Sequence, residues 1–327
     1  MKRVHALGML LLLPLSLTAR AMQPLTDDAL AQQSGQDGIT VSVNLPNSTL
    51  TVSQVGLVDT DGIAGLHLGT SFSGPGALVF APTTYSSTQG VRFFSDVIPN
   101  ALAVAPLLLE VDAGSASATP VLNIGISLPA DLRRIRINPF SLYMASAAGS
   151  IFTAPRVLNG PAGTLNPTGV TKVLEVGAEG IDIVFKASDP VKANLQFGNE
   201  PQGHMLLMTG GSILRIGNDV SGSNPIQLVS KNTITSSMKF DIDFSATDQV
   251  AGFGLSGFYA DIKPDGLVFG KAGPTDKFNL VVSNAVAGTS GSQGGAAVFN
   301  DLKNSSMGNV GLVGARVTGL EVKVRGM

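Results

Sequence analysis

The sequence predicts an all-β protein, built as an elongated two-sheet sandwich or a β-solenoid-like stack, with one short helix near its start. Three observations carry this expectation: strict apolar–polar alternation in at least four separate segments, turn-forming clusters between the runs, and no convincing helical periodicity after residue 36.

The first residues read as an export signal. Lys2 and Arg3 precede an apolar run from Ala6 to Leu17, interrupted only by Gly8, Pro14 and Ser16. Ala19-Arg20-Ala21 follows as a small-x-small cleavage site, with Met22 expected as the first mature residue. The apolar run is too short to span a bilayer, which takes about 20 residues. The expected organisation is therefore a signal peptide over 1–21, a helix and turn over 22–38, and a single β-rich domain over 39–327, with a Pro- and Gly-rich stretch at 154–169 as the best internal boundary.

For the helix, Thr26 is the N-cap, Asp27 and Asp28 sit in the first turn where the helix dipole favours negative charge, and Gly35 ends it. Strands follow. Ile39 to Leu45, Leu122 to Leu128, Phe240 to Ser245 and Leu320 to Arg325 each alternate apolar with polar residues, so each has one buried and one wet face. Turn clusters punctuate them, among them Asp59-Thr60-Asp61-Gly62, Asn159-Gly160-Pro161 and Lys263-Pro264-Asp265-Gly266. The segment Pro99 to Leu109 is left open. Gly followed by an alternating run recurs at Gly38, Gly90, Gly180, Gly254, Gly266 and Gly311, at irregular intervals that make a quasi-repeat without a period.

Composition narrows the function classes. Cysteine is absent, which excludes disulfides and a lipid-bearing cysteine. Removing Lys2, Arg3 and Arg20 with the signal from 21 basic residues leaves 18 against 23 acidic ones, and this mildly acidic balance argues against a nucleic-acid partner. Charged residues make up 13% of the chain, which leaves Ser, Thr, Asn, Gln and Gly to cover the surface as in exported β-rich proteins. A transmembrane barrel would also alternate, but its aromatic girdles are missing: there is no Trp and there are three Tyr.

Motifs with chemical spellings have weak contexts. Gly252-Phe253-Gly254-Leu255-Ser256-Gly257 has the dinucleotide spacing, but strand-like residues follow where a helix is required. Ser236-Ser237-Met238-Lys239 spells a Ser-x-x-Lys pair, yet a strand there puts the two side chains on opposite faces. His67 and His204 have no second metal donor near them in sequence and are expected in strands or loops. Asp59-Thr60-Asp61-Gly62 lacks the closing ligand of a calcium loop, and Asp241, Asp243 and Asp248 read as the wet face of a strand. In Arg133-Arg134-Ile135-Arg136, Arg134 and Arg136 share a face, expected to be solvated. No catalytic residue, metal site or cofactor is expected.

Residues 22–30, Met22-Gln23-Pro24-Leu25-Thr26-Asp27-Asp28-Ala29-Leu30, followed by Ser34-Gly35-Gln36-Asp37-Gly38-Ile39-Thr40-Val41, resemble the mature N-terminus of the exported bacterial pilus-like, or Fil-type, subunits. The match is densest over 22–45. The resemblance implies an exported β-rich protein of largely uncharacterised role, with no catalytic residues to carry over. A type IV pilin would carry a long apolar helix after its leader, and most chaperone-usher subunits a disulfide; this chain has neither.

The resulting expectation is a structural or interaction protein of the bacterial periplasm, outer membrane or cell surface, a pilus-like subunit or adhesin and not an enzyme. Its partners would be proteins or further copies of itself at the envelope, with outer-membrane association, and Ile39, Val41, Val43 and Leu45 would form an assembly strand. The alternative is an envelope module that binds lipid or another apolar ligand between its sheets.

Overall fold

A computed structural model of the chain describes residues 38–44, 49–51, 54–59, 74–82, 91–95, 105–116, 118–146, 158–159, 164–165, 169–177, 180–187, 189–217, 226–229, 237–288, 298–299, 302–303 and 305–325. The expected N-terminal helix, the cleavage-site residues Ala19, Ala21 and Met22, and Leu45, His67 and Ser236 lie outside them. The chain divides into two compact units, Met1–Gly38 and Ile39–Met327, and the described strands all belong to the second.

The second unit is all-β, with no helix among the described residues, and its antiparallel sheets form a sandwich-like arrangement that does not close into a barrel. The alternating segments are the reason, because each offers one apolar row that can be covered while the ladder satisfies its backbone.

The smaller sheet has eight strands in the order Ile39–Val43, Leu107–Ala116, Thr119–Ser127, Lys192–Gly198, Leu206–Gly210, Phe258–Lys263, Gly266–Lys271 and Glu321–Val324. Thus Leu107, within the segment left open, starts a strand. The larger sheet runs from Thr49–Leu50 through Val91–Ser95, Leu132–Ile137, Ile181–Phe185 and Ser212–Gly217 to Ser237–Ala246. There it forks. Residues 244–245 of that strand pair with Ser212–Gly217, while residues 237–240 pair with Ile226–Val229, from which Val170–Val176, Phe140–Ser146, Gly76–Pro82 and Val55–Asp59 follow. The other edge of Ser237–Ala246 holds Phe278–Gly288, and Val310–Ala315 lies beyond it.

The chain passes repeatedly between the sheets. Thr119–Ser127 is followed by Leu132–Ile137, Ile181–Phe185 by Lys192–Gly198, and Leu206–Gly210 by Ser212–Gly217. Corners inside the larger sheet are equally short. At the one leading into Ile181, Gly180 takes φ +78°, and a Cβ there would stand 2.0 Å from the carbonyl oxygen of Ile137, so only glycine fits. Within the 154–169 stretch the described residues form a small pair, Leu158–Asn159 with Thr164–Leu165.

The apolar core gathers near these passages. Leu132 and Phe185 pack with Leu128, Ile135, Ile183, Val191 and Ile213. Phe244, Phe253 and Phe278 form a ring cluster with centroids 5.2–6.0 Å apart. A second cluster, Ala77, Val79, Ala81 and Tyr143, lies on the far branch of the fork. Gly252 to Gly257 is strand, turn and strand: Phe253–Gly254 pairs with Ile213 and Ser212, and Phe258–Lys263 follows without a helix.

Candidate functional site

Register shows what each face of the sheets carries. In the eight-stranded sheet Ile39, Val111, Ile124, Leu195, Leu206, Ala260, Phe269 and Val322 are successive cross-strand partners, so one apolar row crosses every strand from edge to edge. The residue behind each faces the other way: Thr40, Glu110, Gly125, Asn194, Leu207, Tyr259, Gly270 and Glu321.

The two edges of this sheet are the first and last strands of the unit. Ile39–Val43 pairs with Leu107–Val111 inside its own chain, and among the described residues its other edge is unpaired. Ile39 and Val41 are exposed on the apolar face, Val43 is half-buried, and the strand has no charged residue. At the opposite edge, among the described residues, Glu321–Val324 pairs with Gly266–Lys271 alone, and Val322 and Val324 are exposed. Three of the four expected assembly residues are therefore described, and they sit in an edge strand.

Beside the C-terminal edge, the polar face holds a charged cluster. Strand Phe258–Lys263 brings Tyr259, Asp261 and Lys263 to one side by its two-residue period. Asp261 is 3% exposed; it accepts from the backbone N–H of Met205 at 2.8 Å, and its Oδ2 lies 2.9 Å from His204 Nδ1 and 3.5 Å from Lys263 Nζ. Burial opposes ionisation of Asp261, but the hydrogen bonds from His204 and Met205, helped by the charges of His204 and Lys263, outweigh it and hold its carboxyl below the ordinary carboxylate range. An ionised carboxylate only accepts, so the shared proton sits on Nδ1 of His204. The imidazole stacks on Tyr259 with centroids 3.8 Å apart. Tyr259 in turn covers Gly270, where a Cβ would come within 2.3 Å of the phenol ring.

One turn further, Asp265 accepts from Lys323 Nζ at 3.0 Å and from Arg325 Nη2 at 3.1 Å. The Lys323 hydrogen bond, reinforced by both cationic charges against slight desolvation, keeps its carboxyl below the ordinary range. A cleft of about 470 Å³ opens here between His204, Asp261, Asp265 and Lys323. The arrangement ties the loop before Leu206 and the last strand to a central hairpin, and it turns both cations of the edge strand back onto their own sheet.

His204 lies in the loop before Leu206, as expected, and its carboxylate partner stands 57 positions away in sequence. Two expectations are corrected by this geometry. The Arg134 and Arg136 face is interior and not solvated: Arg134 is 1% exposed, Asp182 is 0% exposed, and Arg136 grips Asp182 through Nε and Nη2, both at 2.7 Å. Asp182 stands opposite Arg136 because Ile181–Phe185 pairs with Leu132–Ile137. The aspartates expected on a wet strand face are engaged: Asp241, 7% exposed, accepts from Asn284 Nδ2 at 2.6 Å, and Arg215 bridges Asp243 at 2.6 Å. Asp248 caps the turn amides of Val250 and Ala251.

Lys239 lies in strand Ser237–Ala246, and Asp59 ends strand Val55–Asp59. Asp182, Tyr259 and Asp261 drew no attention in the sequence. The available signal was a carboxylate inside an alternating apolar strand, as in Ile181-Asp182-Ile183, which needs a buried partner somewhere. Among the described residues no group of three or more acidic, His or Cys side chains is placed to hold a metal ion.

No protein-family model, curated protein or solved structure matches the chain.

Proposed function

We propose that the protein is an exported structural subunit of the bacterial envelope or surface, which works by associating with further copies or with other proteins. The observation that carries this reading is that, among the described residues, both edges of one sheet are unpaired, each backed by exposed apolar residues: Ile39 and Val41 at one side, Val322 and Val324 at the other. An edge of that kind offers backbone donors, acceptors and an apolar row to an incoming strand. The resemblance of residues 22–45 to pilus-like subunits and the export signal over 1–21 support the same reading.

Fractionation of cells making the full-length chain, with protease added outside, tests it. Recovery from the envelope in high-mass assemblies is the expected result. A monomer confined to the cytoplasm, still beginning at Met1, overturns it.

A second reading, an envelope module for lipid or another apolar ligand, is favoured by the open apolar faces, on which Leu57 and Ile262 are 75% and 71% exposed. Co-purification of lipid with a strictly monomeric protein would put this reading first.

A further inference from the structure

The eight strands of the smaller sheet are joined by seven pairings, all antiparallel. An even number of alternating strands leaves the first and last running in opposite directions. A second copy set at the edge of the sheet and turned to follow its twist therefore brings its Ile39–Val43 strand antiparallel to the first copy's Glu321–Val324 strand. The alternation continues unbroken.

The larger sheet has the same arithmetic. The path from Thr49–Leu50 through Val91–Ser95, Leu132–Ile137, Ile181–Phe185, Ser212–Gly217, Ser237–Ala246 and Phe278–Gly288 to Val310–Ala315 also counts eight strands and seven antiparallel pairings. The N-terminal strands Ile39–Val43 and Thr49–Leu50 end both paths on one side, and the C-terminal strands Val310–Ala315 and Glu321–Val324 end both on the other. In strand direction a copy added at this side is thus in step with both.

Faces and charges agree as well. Ile39 and Val322 are the two ends of one apolar row, so pairing Ile39 of one copy with Val322 of the next continues that row. Lysine and arginine on an edge normally repel a second strand. Here Lys323 and Arg325 are both held by Asp265, and the N-terminal strand is uncharged.

We infer that the protein polymerises head to tail, the N-terminal edge strand of one copy adding antiparallel to the C-terminal edge strand of the next. The contact is heterologous and does not close, which makes it a filament joint. This rests on the reading of the protein as an assembling envelope subunit.

The chain has no cysteine, so disulfide trapping reports the joint directly. Full-length protein carrying Ile39→Cys and protein carrying Val322→Cys are oxidised separately and as a mixture, with folding checked by circular dichroism. Both positions are exposed. The expected result is a bridged dimer in the mixture and none in either variant alone, with a ladder of higher multimers from the double variant. Thr40→Cys with Glu321→Cys, exposed on the opposite face, gives the same test if an apolar-face variant misfolds.

Bridging of the Ile39→Cys variant with itself would mean two-fold pairing and overturn the inference. A bridge within single chains of the double variant would mean intramolecular closure and overturn it too, as would no bridge at high protein concentration. If bridging fails while the protein still fractionates in envelope assemblies, the joint is wrong and the envelope reading stands. A cytoplasmic monomer removes both.

Discussion

The two faces of the larger sheet differ: one buries polar and charged side chains beside a small apolar cluster, and the other leaves several large apolar side chains exposed. On one face Ala81, Ser141, Glu175 and Lys239 share a side with Arg134, Asp182 and Asp241 and with the apolar cluster of Ala77, Val79 and Tyr143; Ser141, Asp182, Arg134, Val79 and Tyr143 have essentially no exposure. On the other face Val55, Phe80, Leu142, Leu174, Leu228, Met238 and Ala287 form an unbroken row, and there Val55, Leu228 and nearby Leu57, Leu78 and Met144 are exposed. In the smaller sheet Gln196, Asp261 and Val268 are buried on one side, and on the other Ala260 is buried while Phe197, Phe269 and Val322 are exposed. Apolar side chains are covered where the chain crosses between sheets and in the cluster of Ala77, Val79, Ala81 and Tyr143. The buried faces thus combine satisfied polar pairs with small apolar clusters, while large apolar side chains on the opposite face stay exposed.

If that is right, substitutions on the polar face should cost more than substitutions of large apolar residues. The largest effect is expected for Asp182→Ala, which leaves Arg134 and Arg136 buried without this carboxylate; a loss of about 3–5 kcal/mol should appear in urea unfolding. A loss no greater than that of an exposed leucine would break the comparison. Next comes Asp261→Ala, which strips the acceptor from His204 and from the Met205 amide and should cost about 1–3 kcal/mol, with faster amide exchange at Met205.

Acid sharpens the contrast at the C-terminal edge. Asp261 and Asp265 both ionise more readily in the fold than the ordinary carboxylate value of about 3.9, so their contribution is complete above that value. It is lost as pH falls through the lower folded-state values. The protection of the amides in residues 321–324 against exchange, relative to an unfolded chain at the same pH, should therefore fall below about pH 4 before the core opens, and Asp265→Asn should remove that step. The smallest effect is expected for Leu57→Ala: at 75% exposure it should stay within about 0.5 kcal/mol of the parent in the same urea titration. If it proves as costly as Asp182→Ala, the apolar face is already covered within the monomer.

Much of this was legible in the sequence because strand structure is local. Alternation in Leu122 to Leu128 and Phe240 to Ser245 assigns each side chain to a face before any partner is known, and the turn at Lys263 to Gly266 joins two strands that meet in space. Arg134 and Arg136 could be placed on one face in the same way. Which face would be buried could not, because periodicity reports that two sides differ and is silent on what packs against each.

The sequence by itself determined the all-β class, the faces of the alternating strands and the uncharged, alternating character of Ile39 to Val43. The tertiary structure decided the rest. Register brought Asp182 to Arg136 across 46 positions and Asp261 to His204 across 57, and strand order put the first and last strands at opposite edges of one sheet. The physical reason is that backbone alternation depends on neighbours two residues apart, whereas burial, ion pairing and edge position depend on long-range pairings that form only when the whole chain has folded.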